Sequence, residues 1–197
     1  MVIKMDLRSE KTIKLIKDTF KEMVCEMDIN EITVKELTDR ALISRKTFYF
    51  HYETIDNLVD ALLDDVTNEY IEAFENLPEN RPHEDANALF FLFFSKQPEW
   101  FQKIMNYPPY AQLCNKVFDK AYAHALEITP NPYWKSLPQP VQNMIAIYYR
   151  STTLDLYRQW WKEKEKFPLD EAIKISSQLI CTGQNGINDI IKSYFHK

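Results

Sequence analysis

The sequence predicts an all-α protein of about nine helices, with an N-terminal three-helix unit followed by a larger helical region. Apolar residues recur at spacings of three and four along most of the chain, which is the pattern of amphipathic helices. Only two glycines, Gly183 and Gly186, occur among 197 residues, whereas an all-β fold needs glycine at many of its tight turns. Prolines fall between the periodic segments, where helices begin or break.

Composition argues for a packed globular protein without catalytic or metal chemistry. Hydrophobic residues make up 45% of the chain, and the glycine-rich loops that cradle phosphates or dinucleotides are absent. The three cysteines (Cys25, Cys114 and Cys181) and the four histidines are scattered, which predicts neither a disulfide framework nor a metal site and fits a reducing compartment. No nucleophile–base pair supports an all-α enzyme. We therefore expect no enzymatic activity, no cofactor and no metal.

No segment predicts export or membrane insertion. The N-terminus lacks the apolar core of a signal peptide, and the longest apolar run, residues 88–94, is too short to span a bilayer. We therefore expect a cytoplasmic protein that does not enter a membrane. The net charge is −5, and residues 1–53 carry 10 Lys/Arg against 10 Asp/Glu, which sum to zero. If the chain binds nucleic acid, the distribution of charge must matter more than its total.

The first predicted helix, residues 9–27, is amphipathic. Its apolar stripe runs at helical spacing from Ile13 to Met27. Lysines at positions 11, 14, 17 and 21 follow a similar spacing on an adjacent face. These lysines form either a solvated flank or an edge that faces phosphates, and the sequence leaves both possibilities open.

The stretch from Thr33 to Tyr52 predicts two short helices joined by a tight turn. Thr33 and Glu36 form a capping box at the start of the first of them, and Ser44 is placed to cap the second. Phe48 and Tyr52, four residues apart, hold the second helix against the core and leave its N-terminal residues free to project outward. This is the layout of a helix-turn-helix, whose second helix lies in the DNA major groove.

A long helix beginning at Thr54 follows without a flexible separator and predicts a rigid connector. The polar, proline-bounded loop after it marks a boundary, so three regions are expected: 1–53, the helix-turn-helix DNA-binding domain; 54–78, the connecting helix; and 79–197, the rest. Further helices are predicted at about residues 83–96, 98–106 and 109–127. A proline-rich loop over 129–140 precedes two long helices, 141–166 and 169–195, which the short break at Pro168 folds into an antiparallel hairpin.

The region after the connector is unusually rich in aromatic residues. They either pack a core or line a pocket for a small apolar or aromatic molecule, because ligand sites are mostly apolar with a few polar groups. The candidate ligand-binding residues are Phe94, Trp100, Phe101, Cys114, Phe118, Tyr122, Tyr148, Tyr149 and Thr152.

Over residues 9–64 the chain resembles the DNA-binding domain of the TetR (tetracycline-repressor-like) family. The resemblance rests on Ile32-Thr33-Val34, on Ala41-Leu42-Ile43-Ser44 at the turn, and on Thr47 to Tyr52, with Thr54, Asp56 and Leu58 opening the connector. It implies that Thr33 and His51 approach DNA phosphates and that the start of the recognition helix reaches base edges. The predicted DNA-binding residues are Thr33, Ser44, Arg45, Lys46, Thr47, Tyr49, Phe50 and His51.

Two residues depart from the family pattern. Leu42 stands in the turn where the family usually has glycine, which suggests an altered or strained turn. Ile55 stands where lysine is common, which suggests the loss of one phosphate contact.

The resemblance further implies that the C-terminal hairpin pairs with its copy and that residues 79–197 hold an effector pocket. A dimer is also expected because one short helix reads few bases, and two copies bind half-sites about 34–36 Å apart. Candidate dimerisation residues are Leu156, Trp160, Ile173, Ile180 and Ile187. The sequence thus predicts a homodimeric, ligand-responsive transcriptional regulator, most often a repressor in this family, on a palindromic double-stranded DNA operator. The alternative is a co-regulator or adaptor that binds a small molecule or protein and binds DNA weakly.

Overall fold

The computed structural model describes residues 7–77, 83–128 and 137–183, and within these ranges every regular element is helical. This confirms the predicted all-α fold. The α-helices are α1 (Leu7–Glu26), α2 (Val34–Arg40), α3 (Arg45–His51), α4 (Ile55–Glu75), α5 (His83–Ser95), α6 (Glu99–Met105), α7 (Ala111–Ile128), α8 (Gln139–Glu163) and α9 (Leu169–Thr182). Two short 3-10 turns lie at Ile29–Glu31 and Pro108–Tyr110.

Most helix boundaries lie within two or three residues of those that the sequence predicts. The end of the proline-rich loop was predicted wrongly at residue 140, because α8 begins at Gln139 with Pro138 as its N-cap. Proline at the first positions of a helix is compatible with helical geometry, since its missing N–H has no intrahelical partner there. The predicted continuation of α9 to residue 195 lies outside the described residues.

The chain forms two compact units. The first comprises Met1–Val66 together with Pro98–Cys114, and the second comprises Thr67–Gln97 together with Asn115–Lys197. The division falls inside α4 and inside α7, so each of these helices contributes residues to both units.

The core of the first unit combines the three N-terminal helices with α6. Buried apolar side chains come from the C-terminal half of α1, from the start of α4 and from most of α6. Lys17 on α1 also pairs with Asp65 on α4 at 2.5 Å. The core residues are Ile16, Phe20, Met23, Val24, Leu37, Phe48, Leu58, Val59, Leu62, Phe101, Ile104 and Met105.

The core of the second unit is an aromatic cluster between α5, α8 and the end of α4. Phe90 and Phe94 lie with ring centroids 4.6 Å apart, and Phe91 meets Tyr157 edge-on at 5.5 Å. Tyr70 of α4 meets Phe94 at 5.1 Å. Such aromatic pairs stabilise a core beyond the area that they bury.

Helices α8 and α9 form the predicted antiparallel hairpin. The Trp160 indole Nε1 donates to the Phe167 carbonyl at 3.0 Å beside the Pro168 break. Twelve residues earlier along α8, the Tyr148 hydroxyl donates to the Leu179 carbonyl at 3.2 Å. The end of α8 thus lies beside the start of α9, and an earlier turn of α8 lies beside the end of α9, so the two helices run antiparallel.

Candidate nucleic-acid interface

The turn between α2 and α3 is a Schellman motif with leucine in place of glycine. The Ile43 N–H donates to the Thr38 carbonyl at 3.0 Å, and the Leu42 N–H donates to the Asp39 carbonyl at 3.3 Å, which is the bonding pattern of that motif. Leu42 has φ +53°, the left-handed conformation that glycine adopts readily and other L-residues adopt at a cost. The sequence suggested an altered or strained turn, and the strain is present while the turn geometry is retained.

A hydroxyl residue caps the start of each of the two helices α2 and α3. Thr33 Oγ1 accepts from the Glu36 N–H at 3.2 Å at the start of α2. Ser44 Oγ accepts from the Thr47 N–H at 3.0 Å and also hydrogen-bonds with the Thr47 hydroxyl at 2.8 Å. Both predicted N-caps are confirmed, and each satisfies a backbone donor that would otherwise lack a partner.

A buried phenylalanine anchors α3 and turns its neighbours outward. Phe48 is fully buried, and its ring contacts those of Tyr49 at 5.6 Å and Tyr52 at 5.9 Å. The side chains of Tyr49 and Phe50 are 55% and 81% exposed, an unusual degree of exposure for large aromatic residues. The outer face of α3 therefore presents two aromatic rings to solvent.

The first turn of α3 carries two cations and no acidic residue. Arg45 and Lys46 are exposed, and among the described residues neither has an ion-pair partner. Cations near a helix N-terminus interact unfavourably with the helix dipole. This arrangement is unfavourable for the isolated helix and favourable next to a polyanion.

The structure brings the eight predicted DNA-binding residues onto one short segment, from the α2 N-cap through α3. Arg45, Lys46, Tyr49 and Phe50 form its exposed face. His51 is half-buried, and its ring meets that of Phe50 edge-on at 5.0 Å. Their contacts with DNA remain predictions.

The nine candidate ligand-binding residues are divided between the two units. Trp100, Phe101 and Cys114 are buried in the first unit, where Cys114 Sγ donates to the Ile104 carbonyl at 3.7 Å. The remaining six, from Phe94 to Thr152, lie in the second unit. The three residues of the first unit therefore have contacts typical of a core.

Half-buried aromatic rings of α7 and α8 adjoin one another in the second unit. The rings of Phe118 and Tyr122 are stacked with centroids 5.9 Å apart, and the Tyr149 ring lies 5.9 Å from that of Tyr122. Burial raises the pKa of Tyr122 to about 12, with a further contribution from Tyr149. Burial also raises the pKa of Tyr149.

Of the candidate dimerisation residues, Leu156, Ile173 and Ile180 are half-buried. Trp160 is buried in the seam of the hairpin, and Ile187 lies outside the described residues. Sequence reasoning missed a more exposed apolar stripe on α8, formed by Val141, Met144, Ile147 and Tyr148. The spacing of three residues between its first three members is the signal that could have revealed it.

No helix within the described residues is long and apolar enough to cross a membrane. The same ranges contain no group of three or more His, Cys, Asp or Glu side chains arranged to hold a metal ion.

The chain is thus an all-α protein with an N-terminal helix-turn-helix, and two solved structures share this fold. One is a TetR-family transcriptional regulator from Streptomyces coelicolor, with a TM-score of 0.57, 16% identity, and coverage of 94% of this chain and 83% of that chain. The other is the fatty acid degradation regulator FadR from Bacillus halodurans, with a TM-score of 0.57, 13% identity, and coverage of 88% of this chain and 96% of that chain. The sequence matches no protein-family model and no curated relative. The predicted likeness to TetR-family regulators is confirmed at the level of the fold.

Proposed function

We propose that this protein is a DNA-binding transcriptional regulator of the TetR type. The observation that carries the proposal is the outer face of α3, where Arg45, Lys46, Tyr49 and Phe50 are exposed beside a formed helix-turn-helix. Two cations in the first turn of α3 oppose the helix dipole, and two exposed aromatic rings gain from leaving water. Both become favourable in a groove lined by phosphates and base edges.

Each residue of this face has a role that fits its chemistry. Arg45 donates two hydrogen bonds in a plane, which matches the acceptor edge of guanine. Lys46 supplies a charge near phosphates or base edges, and Tyr49 supplies a ring and a hydroxyl to the groove. Thr33 and His51 lie at the two ends of the segment and approach the DNA backbone on either side.

Two copies of the chain bind two half-sites through a dimer built on the α8–α9 hairpin. The exposed stripe of α8, with Met144 73% and Ile147 51% exposed, supports this proposal because apolar side chains at helical spacing gain stability when a partner covers them. Leu156, Ile173 and Ile180 would extend the same contact.

The effector, in this proposal, is a small apolar or aromatic molecule bound in the second unit. Phe118, Tyr122 and Tyr149 supply ring surface for such a molecule. Effector binding shifts the population towards a form whose two recognition helices no longer match the half-site spacing, which releases a repressor from its operator.

The test begins with duplex DNA selected from a randomised pool by the parent protein. Arg45→Ala and Tyr49→Ala should each weaken binding to the selected duplex by about 10-fold or more, the effect of losing one good base contact. Lys96→Ala, which removes an exposed lysine of the second unit, is the control and should bind as the parent does. Equal binding by all four proteins would show that α3 does not read the DNA.

The co-regulator or adaptor remains the second candidate, since residues 1–53 sum to zero charge and Ile55 replaces a possible phosphate contact. Salt dependence separates the two, because each phosphate neutralised adds about 0.9 to the slope of log affinity against log salt concentration. A dimer presents two Lys46 side chains. If the protein binds DNA through α3, Lys46→Ala should therefore reduce the magnitude of that slope by about 2. A shallow slope that Lys46→Ala leaves unchanged would favour the adaptor.

A further inference from the structure

We infer that residues 98–114 are a working part of the DNA-binding unit and that Tyr107 and Tyr110 are positioning residues for its helix-turn-helix. The inference rests on the proposed DNA-binding function. It follows from two hydrogen bonds that this segment makes, with α1 and with the first 3-10 turn, and from the position of Tyr110 beside Asp56 of α4. These are the elements that lead into α2 and follow α3.

The first contact closes the C-terminus of α1. Lys103 Nζ donates to the Cys25 carbonyl at 2.7 Å. The last carbonyls of a helix have no intrahelical donor, and a lysine there also interacts favourably with the helix dipole. The same face of α6 is held to α1 by Trp100, whose ring centroid lies 5.3 Å from the Lys21 ammonium.

The second contact holds the segment that enters α2. The Tyr107 hydroxyl donates to Asn30 Oδ1, and the Asn30 amide in turn donates to Asp28 Oδ1 at 2.9 Å. Asp28 is the N-cap of the 3-10 turn Ile29–Glu31. Only Ile32 separates this turn from Thr33, the N-cap of α2 and a proposed phosphate contact, so the position of Thr33 depends on this chain of hydrogen bonds.

The third contact reaches the first turn of α4, directly after α3. Burial raises the pKa of Tyr110 to about 12, with further contributions from the nearby Asp56 carboxylate and from Tyr107. The phenol of Tyr110 therefore lies close to the first turn of α4. The rings of Tyr107 and Tyr110 meet edge-on at 5.1 Å, so each tyrosine restricts the position of the other.

The backbone of residues 98–114 is restricted by prolines and by buried side chains. Pro108 and Pro109 lie between the two tyrosines and fix the backbone φ angle at consecutive positions. Buried Phe101, Ile104 and Met105 anchor the preceding helix in the core of the first unit. Tyr107 and Tyr110 thus hold the helix-turn-helix from a rigid base.

The test uses full-length Tyr107→Phe and Asn30→Ala, singly and together, with Asn76→Ala as control. Asn76 also makes one exposed side-chain hydrogen bond, to the Glu72 carbonyl, but lies in the second unit. Each single variant should bind the DNA selected from the randomised pool about 3- to 10-fold more weakly, the usual effect of one hydrogen bond. The double variant should bind no more weakly than the weaker single variant, because both changes remove the same contact.

Amide hydrogen exchange gives a second readout that needs no DNA. The Glu31 and Ile32 amides, which donate to the Asp28 and Ile29 carbonyls, should exchange faster in Tyr107→Phe while amides in the cores of both units keep their parental rates. A uniform rise in exchange would indicate a general loss of stability and would overturn a positioning role. So would local exchange rates equal to those of the parent.

The two readouts also separate this inference from the proposed function. If the parent protein selects no DNA but Tyr107→Phe still accelerates exchange at Glu31 and Ile32, the holding contact stands and DNA binding fails. If DNA binding is established and both variants bind as the parent does, the inference fails alone. Tyr110→Phe provides a second variant that tests the α4 contact by the same measurements.

Discussion

At the residue scale, Leu42 has the most unusual backbone conformation in the helix-turn-helix. It occupies the left-handed position of a Schellman turn with φ +53°, and its side chain is 91% exposed. The side chain therefore gains little from burial while its Cβ strains the backbone. A leucine in this conformation must be stabilised by the hydrogen bonds of the turn, in which the Leu42 and Ile43 N–H groups donate to the Asp39 and Thr38 carbonyls.

Leu42→Gly should stabilise the protein by about 0.5–1 kcal/mol, since relief of left-handed strain exceeds the added freedom of the unfolded chain. Urea unfolding followed by circular dichroism measures this change. Leu42→Ala is the matched control, because it removes the exposed side chain but keeps the Cβ, and it should leave stability nearly unchanged. Equal stability of Leu42→Gly and the parent would mean that the turn carries no strain.

The sequence predicts features at this scale that depend on neighbours in the chain. The caps at Thr33 and Ser44 follow from hydroxyl chemistry one to three residues from a helix start, and both are present. The hydrogen bond from Tyr107 to Asn30 joins residues that are far apart in sequence. No local pattern contains it, because it depends on how α6 packs against α1.

At the scale of single elements, α5 and α9 are joined by a buried polar contact. Asn87 Nδ2 donates to the hydroxyls of Ser176 and Ser177, each at 2.8 Å. Asn87 Oδ1 is buried and has no hydrogen-bond partner among the described residues. The contact fixes the register of α9 on α5, and the unpaired oxygen weakens its net contribution.

Asn87→Ala should destabilise the protein by about 1–3 kcal/mol, because two buried serine hydroxyls lose their donor. Ser177→Ala should cost less, because Asn87 keeps its bond to Ser176. Thermal unfolding of both variants and the parent measures the difference. A larger loss for Ser177→Ala than for Asn87→Ala would contradict this account of the α5–α9 contact.

The exposed stripe of α8 makes a prediction about assembly. Met144→Asp places a charge in the apolar surface that a second copy is proposed to cover, so it should convert dimers to monomers at micromolar concentration. Sedimentation equilibrium measures the mass directly.

Leu7→Asp is the matched control for that substitution. Leu7 on α1 is 73% exposed, as is Met144, but it lies in the first unit. A dimer that Met144→Asp leaves intact would place the contact elsewhere on the hairpin. A parent protein that is itself monomeric would remove the dimer from the proposal.

At the scale of the whole molecule, the sequence predicts the number and order of the helices well within the described residues. It does so because helical periodicity and proline breaks are local signals. Which helices share a core is not local: Phe101 and Ile104 are recognisably apolar, yet only the structure assigns them to the core that also holds Phe20 and Phe48. The sequence also does not show which apolar side chains are exposed to solvent, and Met144, which is 73% exposed, is an example.

Two helices contribute residues to both units. Helices α4 and α7 each continue from one unit into the other without interruption. The first unit contains chain from both sides of α5, so truncation after α4 should remove part of its core.

Hydroxyl-radical footprinting of the selected duplex tests the central claim most directly. The account predicts two symmetric protected patches with centres about 10–10.5 base pairs apart, or a multiple of that spacing, because two copies of α3 enter successive turns of the major groove. Both patches should disappear together in Arg45→Ala. Protection of a single asymmetric patch, or protection that Arg45→Ala leaves intact, would contradict a dimer that reads DNA through α3.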